Sequence, residues 1–226
     1  MEMIVIINNK EFKTKLRNKF KGKMIVLEGN EGAGKTKLLD RLSKYLKDDD
    51  DNFIVIKTRE PGGTETSEKL RDIIINNDLE PMSEAYLFAV ARREHLINKI
   101  IPAILYGHTV ICDRYIFSSL VYQGVTKELG FNYVKALNEE VLSGLGGIYP
   151  DVVLWLDVEP VIGLKRISSN NRETNKFDKE SLDFHNKVRS GYEICSEVFK
   201  DTFIKIDASK SEDEVFEEVL EKLYNF

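Results

Sequence analysis

Residues 29–36 read Gly29-Asn30-Glu31-Gly32-Ala33-Gly34-Lys35-Thr36, the pattern G-x-x-x-x-G-K-[ST], and this stretch constrains the fold more than any other. An apolar run, Met24-Ile25-Val26-Leu27, leads into it, and a helical pattern from Lys37 to about Lys47 follows. In such a loop, glycines let backbone N–H groups curl around phosphate oxygens, and the helix start adds partial positive charge. Lys35 can then reach the β- and γ-phosphates, and the Thr36 hydroxyl can ligate Mg²⁺. The segment therefore asks for a buried strand, a tight loop and a helix in that order, with a nucleotide on the loop.

The rest of the chain repeats that grammar. Phe53-Ile54-Val55-Ile56 reads as the second strand, and 58–64, built on Pro61-Gly62-Gly63, as a loop. Further strands are expected at Thr109 to Cys112, Val152 to Leu156 and Phe203 to Ile206, each ending at an aspartate (Asp113, Asp157, Asp207). Helical patterns separate them: 65–77, a long one from Pro81 through Tyr86, Leu87, Val90 and Ile97, and a last one over 212–224. Strands alternating with helices predict an α/β domain with a parallel sheet. Ligands of such sheets bind beyond the carboxyl ends of the strands, which here hold Glu28-Gly29, Arg59, Asp113-Arg114 and Asp157. No internal repeat or interdomain linker interrupts the pattern. We read residues 1–22 as an extension and 23–226 as one domain, with the polar segment at about 168–178 as a mobile lid.

Composition narrows the function. The 226 residues carry a net charge of −5, which gives no nucleic-acid signal, and no apolar run approaches the roughly 20 residues that span a bilayer. Two cysteines, Cys112 and Cys195, exclude a disulfide scaffold and read as buried thiols, which fits a reducing cytoplasm. Charge is uneven: residues 1–23 hold seven Lys/Arg and two acids. Within them Phe12, Leu16, Lys19 and Phe20 fall near one helical face, so a docked helix is favoured over a partner-binding arm, and Ile4 to Ile7 could add a strand. The acidic run Asp48 to Asp51 reads as a solvated loop. His95, His108 and His185 are expected to be structural or surface residues.

Arg59 and Arg114, at strand ends beside a phosphate loop, converge on one crevice. The guanidinium fork binds oxygens in pairs, so an acceptor that itself carries a phosphate is expected. Phe88 and Arg92 lie four apart on one helix face, where the ring could stack on a base and the arginine bond its edge. Asp113 is a second candidate for Mg²⁺ beside Thr36.

These residues resemble the thymidylate kinase family. The matching segments are Glu28 to Thr36, Thr58-Arg-Glu-Pro-Gly-Gly-Thr64, Phe88-Ala-Val-Ala-Arg-Arg-Glu-His95, Asp113-Arg-Tyr-Ile-Phe-Ser-Ser-Leu-Val-Tyr-Gln-Gly124, Tyr149-Pro-Asp-Val-Val-Leu-Trp-Leu-Asp157 and Leu182-Asp-Phe-His-Asn-Lys-Val188. The resemblance is to the bacterial type, with Ala33 in place of a basic loop residue. It implies a five-stranded parallel sheet with helices on both faces, of the P-loop nucleoside monophosphate kinase kind, and a homodimer. It implies ATP as donor, dTMP as acceptor and Mg²⁺. For the acceptor it implies Arg59 and Arg114 on the phosphate, Glu60 and Arg71 lining the dTMP site, Phe88 and Arg92 on thymine, and Ser118, Ser119, Tyr122 and Gln123 over nucleoside and base. It gives Glu31 an orienting role and places a lid arginine, Arg172, on the transferring phosphoryl. Arg166 is expected to point along its helix toward ATP.

The chain departs from the family pattern in three places. About 20 residues precede the first strand, Asn175-Lys176 stands where many members carry Asp-Arg, and Gly144-Leu-Gly-Gly147 is expanded. Lys keeps the charge but loses the fork, so Lys176 is not the expected phosphate clamp. The rival readings are a deoxynucleoside kinase or another monophosphate kinase, and a nucleotide switch. Arg59, Arg71 and Arg114 together argue against a phosphate-free acceptor, and the Asn-Lys-x-Asp pattern of a guanine-reading switch occurs only at Asn175-Lys176-Phe177-Asp178, inside the polar segment read as a lid rather than at a strand end.

Overall fold

The computed structural model describes residues 9–47, 52–169 and 174–226. The Ile4 to Ile7 run, the acidic stretch 48–51 and Arg172 lie outside the described residues. Five parallel strands form one sheet: β1 (Met24–Gly29), β2 (Val55–Arg59), β3 (Thr109–Asp113), β4 (Val152–Asp157) and β5 (Phe203–Asp207), in the order β2-β3-β1-β4-β5. β1 is central and wholly buried, paired with β3 (Leu27 opposite Asp113) and with β4 (Gly29 opposite Leu156). Strand order reverses direction at β1, so the loops leaving it and its neighbours open a crevice at their carboxyl ends.

Side chains alternate along each strand and feed two cores. Ile25 and Leu27 of β1 join Val152, Leu154 and Leu156 of β4 in one core, while Met24 and Val26 join Val153 and Trp155 in the other. The first is covered by α1 (Lys10–Phe20), α2 (Lys35–Lys47) and α9 (Glu212–Asn225). The second is covered by α4 (Pro81–His95, continued by a π-turn over Leu96–Ile100 and a helical turn Ile101–Leu105), α5 (Ile116–Ser119, continued by a π-helical stretch Leu120–Thr126), α6 (Phe131–Leu142) and α8 (Leu182–Val198). The remaining helices are α3 (Glu65–Asn76) and α7 (Pro160–Ser168). Their ends follow local chemistry. Thr64 and Ser181 cap α3 and α8, Pro81 starts α4, and Ser211 with Glu214 forms a capping box on α9.

The structure moves two boundaries. The second strand begins at Val55 rather than Phe53 and runs through Thr58 and Arg59, which the sequence pattern assigns to the loop. β2 is an edge strand in which only Thr58 is buried, so its ladder to β3 continues through polar side chains that an apolar pattern misses; Arg59 pairs with Asp113. In α1 it is Arg17 rather than Lys19 that joins Phe12, Leu16 and Phe20 in burial, because Arg17 Nε donates to the Leu46 carbonyl at 2.6 Å. The helix docks as expected. Phe12 stacks on Tyr224 with ring centroids 4.5 Å apart, and Lys19 Nζ bonds the Tyr224 carbonyl at 3.1 Å. Cys112 and Cys195 are free and buried. Among the described residues no helix is long and apolar enough to cross a membrane.

Candidate active site

The carboxyl ends of β1, β2 and β3 open into a cavity of about 700 Å³. Glu31 to Thr36 form part of its wall, with Arg59, Glu60, Arg71, Phe88, Arg92, Asp113, Arg114, Ser118, Ser119, Tyr122, Gln123 and Arg166. Gly29 and Asn30 do not line it. The Asn30 amide is buried and donates to the His185 carbonyl at 2.9 Å, fastening the loop to α8. The loop is also fastened to α7. Gly32, at φ = 74°, lies so close to Gly163 that a Cβ would sit 2.2 Å from the Gly163 carbonyl oxygen.

Lys35 Nζ folds back onto the carbonyls of Gly29 (2.9 Å) and Asn30 (2.7 Å). Burial first, and Arg114 second, push its pKa down to about 8, against the pull of Asp113, Glu31 and Glu28. Thr36 Oγ1 donates to Asp113 Oδ2 at 3.3 Å, while Asp113 Oδ1 is buried with no partner among the described residues. Two hard oxygen donors, one of them orphaned, fit a magnesium ion, which takes one or two protein ligands and completes its shell with phosphates and water. Among the described residues no cluster of three or more His, Cys, Asp or Glu could hold a metal.

Arg114 follows β3 with φ = 73°, a left-handed backbone that costs a non-glycine residue on the order of 1–3 kcal/mol. That turn aims its guanidinium back across the sheet. Nη2 donates to Glu31 at 2.8 Å, and Nη1 donates to Ser118 (3.1 Å) and Tyr192 (3.0 Å). Tyr122 also donates to both Glu31 oxygens, at 2.7 and 2.8 Å. Burial alone would raise the Glu31 pKa, but Arg114, His185 and Lys35 outweigh it, and Glu31 stays ionised well below the usual carboxylate range. Arg59 pairs with Glu68 at 2.9 Å and is half exposed, and Arg71 donates to the Pro61 carbonyl at 2.9 Å. Three guanidinium groups thus meet at one end of the cavity.

Glu60, buried, meets two side chains of α4: Arg92 Nε at 2.7 Å and the His95 ring Nδ1 at 3.1 Å. Its carboxylate therefore holds the helix rather than pointing free into the cavity. Arg92 also donates to Asn138, to the Tyr115 carbonyl and to Ser119 (both 3.2 Å), leaving one of its five N–H groups unspent among the described residues. Gln123 donates its amide to Glu84 at 2.9 Å. His95 and His185 are buried, as a structural role requires.

The opposite end of the cavity was missed from sequence. Lys37, Arg41, Lys210, Ser211, Glu212, Val215 and Phe216 line it, the last five from the β5–α9 turn and the start of α9. Arg41 lies over the Phe216 ring at 4.2 Å, and Arg166 donates to the Ala208 and Ser209 carbonyls at 2.8 and 3.4 Å. The signal was available, because the strand-end rule applies to β5 as it does to β1–β3. Asp157, by contrast, is a strand-end acid outside the cavity, paired with Arg189 (2.7 Å) and Lys205 (2.9 Å). Beyond Arg172, Phe177 packs edge-on against Tyr122, and Lys176 is held by Glu84 at 2.7 Å.

A phosphate loop at the centre of a parallel β2-β3-β1-β4-β5 sheet, facing a second arginine-lined site across one cavity, defines a P-loop kinase of the nucleoside monophosphate kinase class. A family model described as thymidylate kinase matches residues 27–219. A thymidylate kinase of Clostridium novyi is 48% identical over 203 residues, 88% of this chain and 97% of that protein. One of Halalkalibacterium halodurans is 44% identical over 199 residues, covering 86% of this chain and 92% of its own. The crystal structure of thymidylate kinase from Ehrlichia chaffeensis superimposes with a TM-score of 0.73 at 29% identity, over 89% of this chain and 98% of that one. The chain belongs to the thymidylate kinase family.

Proposed function

We infer that this chain transfers the γ-phosphoryl group of ATP to dTMP, giving dTDP and ADP for dTTP synthesis. The observation that carries the reading is one cavity with a phosphate loop at one wall and Arg59, Arg71 and Arg114 at another. Phosphoryl transfer needs positioning and charge neutralisation rather than a strong base, since the attacking phosphate oxygen is already ionised near neutral pH.

Lys35 and the amides of residues 29–36 are proposed to hold the donor, with Thr36 and Asp113 as magnesium ligands. A bound magnesium ion would neutralise charge on the donor phosphates. Arg59, Arg71 and Arg114 hold the acceptor phosphate, and Glu31 fixes Arg114 in place. Phe88 and Arg92 take the thymine, with Ser118, Ser119, Tyr122 and Gln123 around nucleoside and base, while Glu60 secures Arg92. Arg166 and the Arg41–Phe216 pair border the donor end. Arg166 is spent on carbonyls and Lys176 on Glu84, and Arg172, the lid arginine that the family resemblance implies, is the cation proposed for the transferring group.

Two further expectations belong to this reading. Exposed Tyr86, Val90 and Ile97 along α4 support a homodimer. Free buried cysteines and a net charge of −5 support work in the cytoplasm on small nucleotides, without nucleic acid or membrane. Residues 1–22 are read as an extension, 23–226 as the kinase domain and about 168–178 as its lid. The test is ADP release with Mg²⁺ and ATP, comparing dTMP, dUMP, UMP, AMP and thymidine as acceptors. We expect dTMP to be preferred; faster turnover of AMP or thymidine would overturn the assignment.

A further inference from the structure

Glu84, in the first turn of α4, is a fully buried carboxylate that lies behind the cavity wall rather than in it, and three side chains converge on it. Oε1 accepts from Gln123 Nε2 at 2.9 Å and from Lys127 Nζ at 2.9 Å, and Oε2 accepts from Lys176 Nζ at 2.7 Å. Burial favours the neutral acid, but Lys176, Lys127 and Gln123 outweigh it, so the group stays ionised and has no proton to give.

An ionised carboxylate can only accept, and this fixes the Gln123 amide. Its nitrogen must face Glu84. Its oxygen is the atom left over, and it takes no partner among the described residues, while Gln123 lines the cavity with Phe88 and Arg92. Thymine and uracil carry an N–H at ring position 3, flanked by carbonyl oxygens. Cytosine has a lone pair at that position. An amide oxygen accepts from the first edge and repels the second.

We propose that Glu84 is a positioning residue for base selection: by holding the Gln123 nitrogen it turns Gln123 Oε1 toward the acceptor base, favouring thymine and uracil over cytosine. This rests on the reading of the cavity as the dTMP site. It differs from plain structural support in its signature, which is a change in selectivity rather than in overall activity.

The test compares kcat/KM for dTMP and dCMP, and KM for ATP, in the parent, Glu84→Gln and the exchanged pair Glu84→Gln/Gln123→Glu. A glutamine at 84 offers both donor and acceptor, so the Gln123 amide is free to turn over. We expect the dTMP-to-dCMP ratio to fall about tenfold or more in Glu84→Gln, with KM for ATP within about twofold of the parent. The exchanged pair keeps one buried carboxylate and one amide. Its carboxylate again presents an acceptor to the base, so the ratio should return to within about threefold of the parent. It also carries the test if the single variant fails to fold. An unchanged ratio in folded Glu84→Gln, equal losses for both nucleotides, or a folded exchanged pair without selectivity overturns the proposal. A parent inactive on dTMP overturns the substrate assignment and this inference with it; a parent active on dTMP but indifferent to Glu84 overturns the inference alone.

Discussion

Lys35 holds its ammonium against two loop carbonyls, from which a donor phosphate would draw it. Its pKa, lowered to about 8, has a consequence for stability. The unfolded chain keeps this proton up to the ordinary lysine range, about 10.4, while the folded chain releases it near 8. Between those values the unfolded state binds more protons, so this group's contribution favours folding increasingly as pH rises. Donor phosphates favour the charged lysine. We therefore expect ATP affinity, measured by calorimetry across neutral to alkaline pH, to weaken as pH passes about 8, and Lys35→Arg to remove that inflection. At this scale the sequence was a good guide. Residues 31–36 and the arginines Arg59, Arg71, Arg92 and Arg114 all reach the cavity. It was blind to partners. Nothing in spacing says that Arg92 spends four N–H groups inside the protein, or that Arg114 needs a left-handed backbone to face Glu31.

Among the elements, α1 is the one that the family model leaves out, since the match begins at residue 27. Its Leu16 is 1% exposed, in the same core as Leu46 and Leu223. It joins the carboxyl ends of two helices, α2 through the Leu46 carbonyl and α9 through the Tyr224 carbonyl. We expect Leu16→Ala to cost about 2–5 kcal/mol in denaturant unfolding, with kcat within about twofold, because no α1 residue lines the cavity. Unaltered unfolding would mean that the helix only rests on the surface. Amphipathic spacing made α1 legible, and apolar runs did the same for the central strands. β2 was misjudged by two residues at its start because an edge strand is held by backbone pairing rather than by apolar side chains. The β5–α9 turn was overlooked as site material because its lining residues come from a capping turn and the helix that follows, with no recognisable phosphate motif.

At the scale of the molecule, Tyr86, Val90 and Ile97 are 49%, 52% and 43% exposed on α4, the helix that also carries Phe88 and Arg92. Sedimentation should show a dimer, and Val90→Glu should shift it toward monomer; a parent that is monomeric at working concentration would remove the dimer from this reading. The arginines of the acceptor end have a further consequence. The molecule carries a net charge of −5, so an approaching dianion meets general repulsion, while Arg59, Arg71 and Arg114 in the cavity wall offer it the opposite charge locally. Such a field acts as a funnel during diffusion. It shortens the search for the one productive entrance, and its benefit fades as dissolved ions shield it over a Debye length of about 8 Å at physiological salt. Capture of the acceptor should therefore slow with ionic strength far more than its escape quickens.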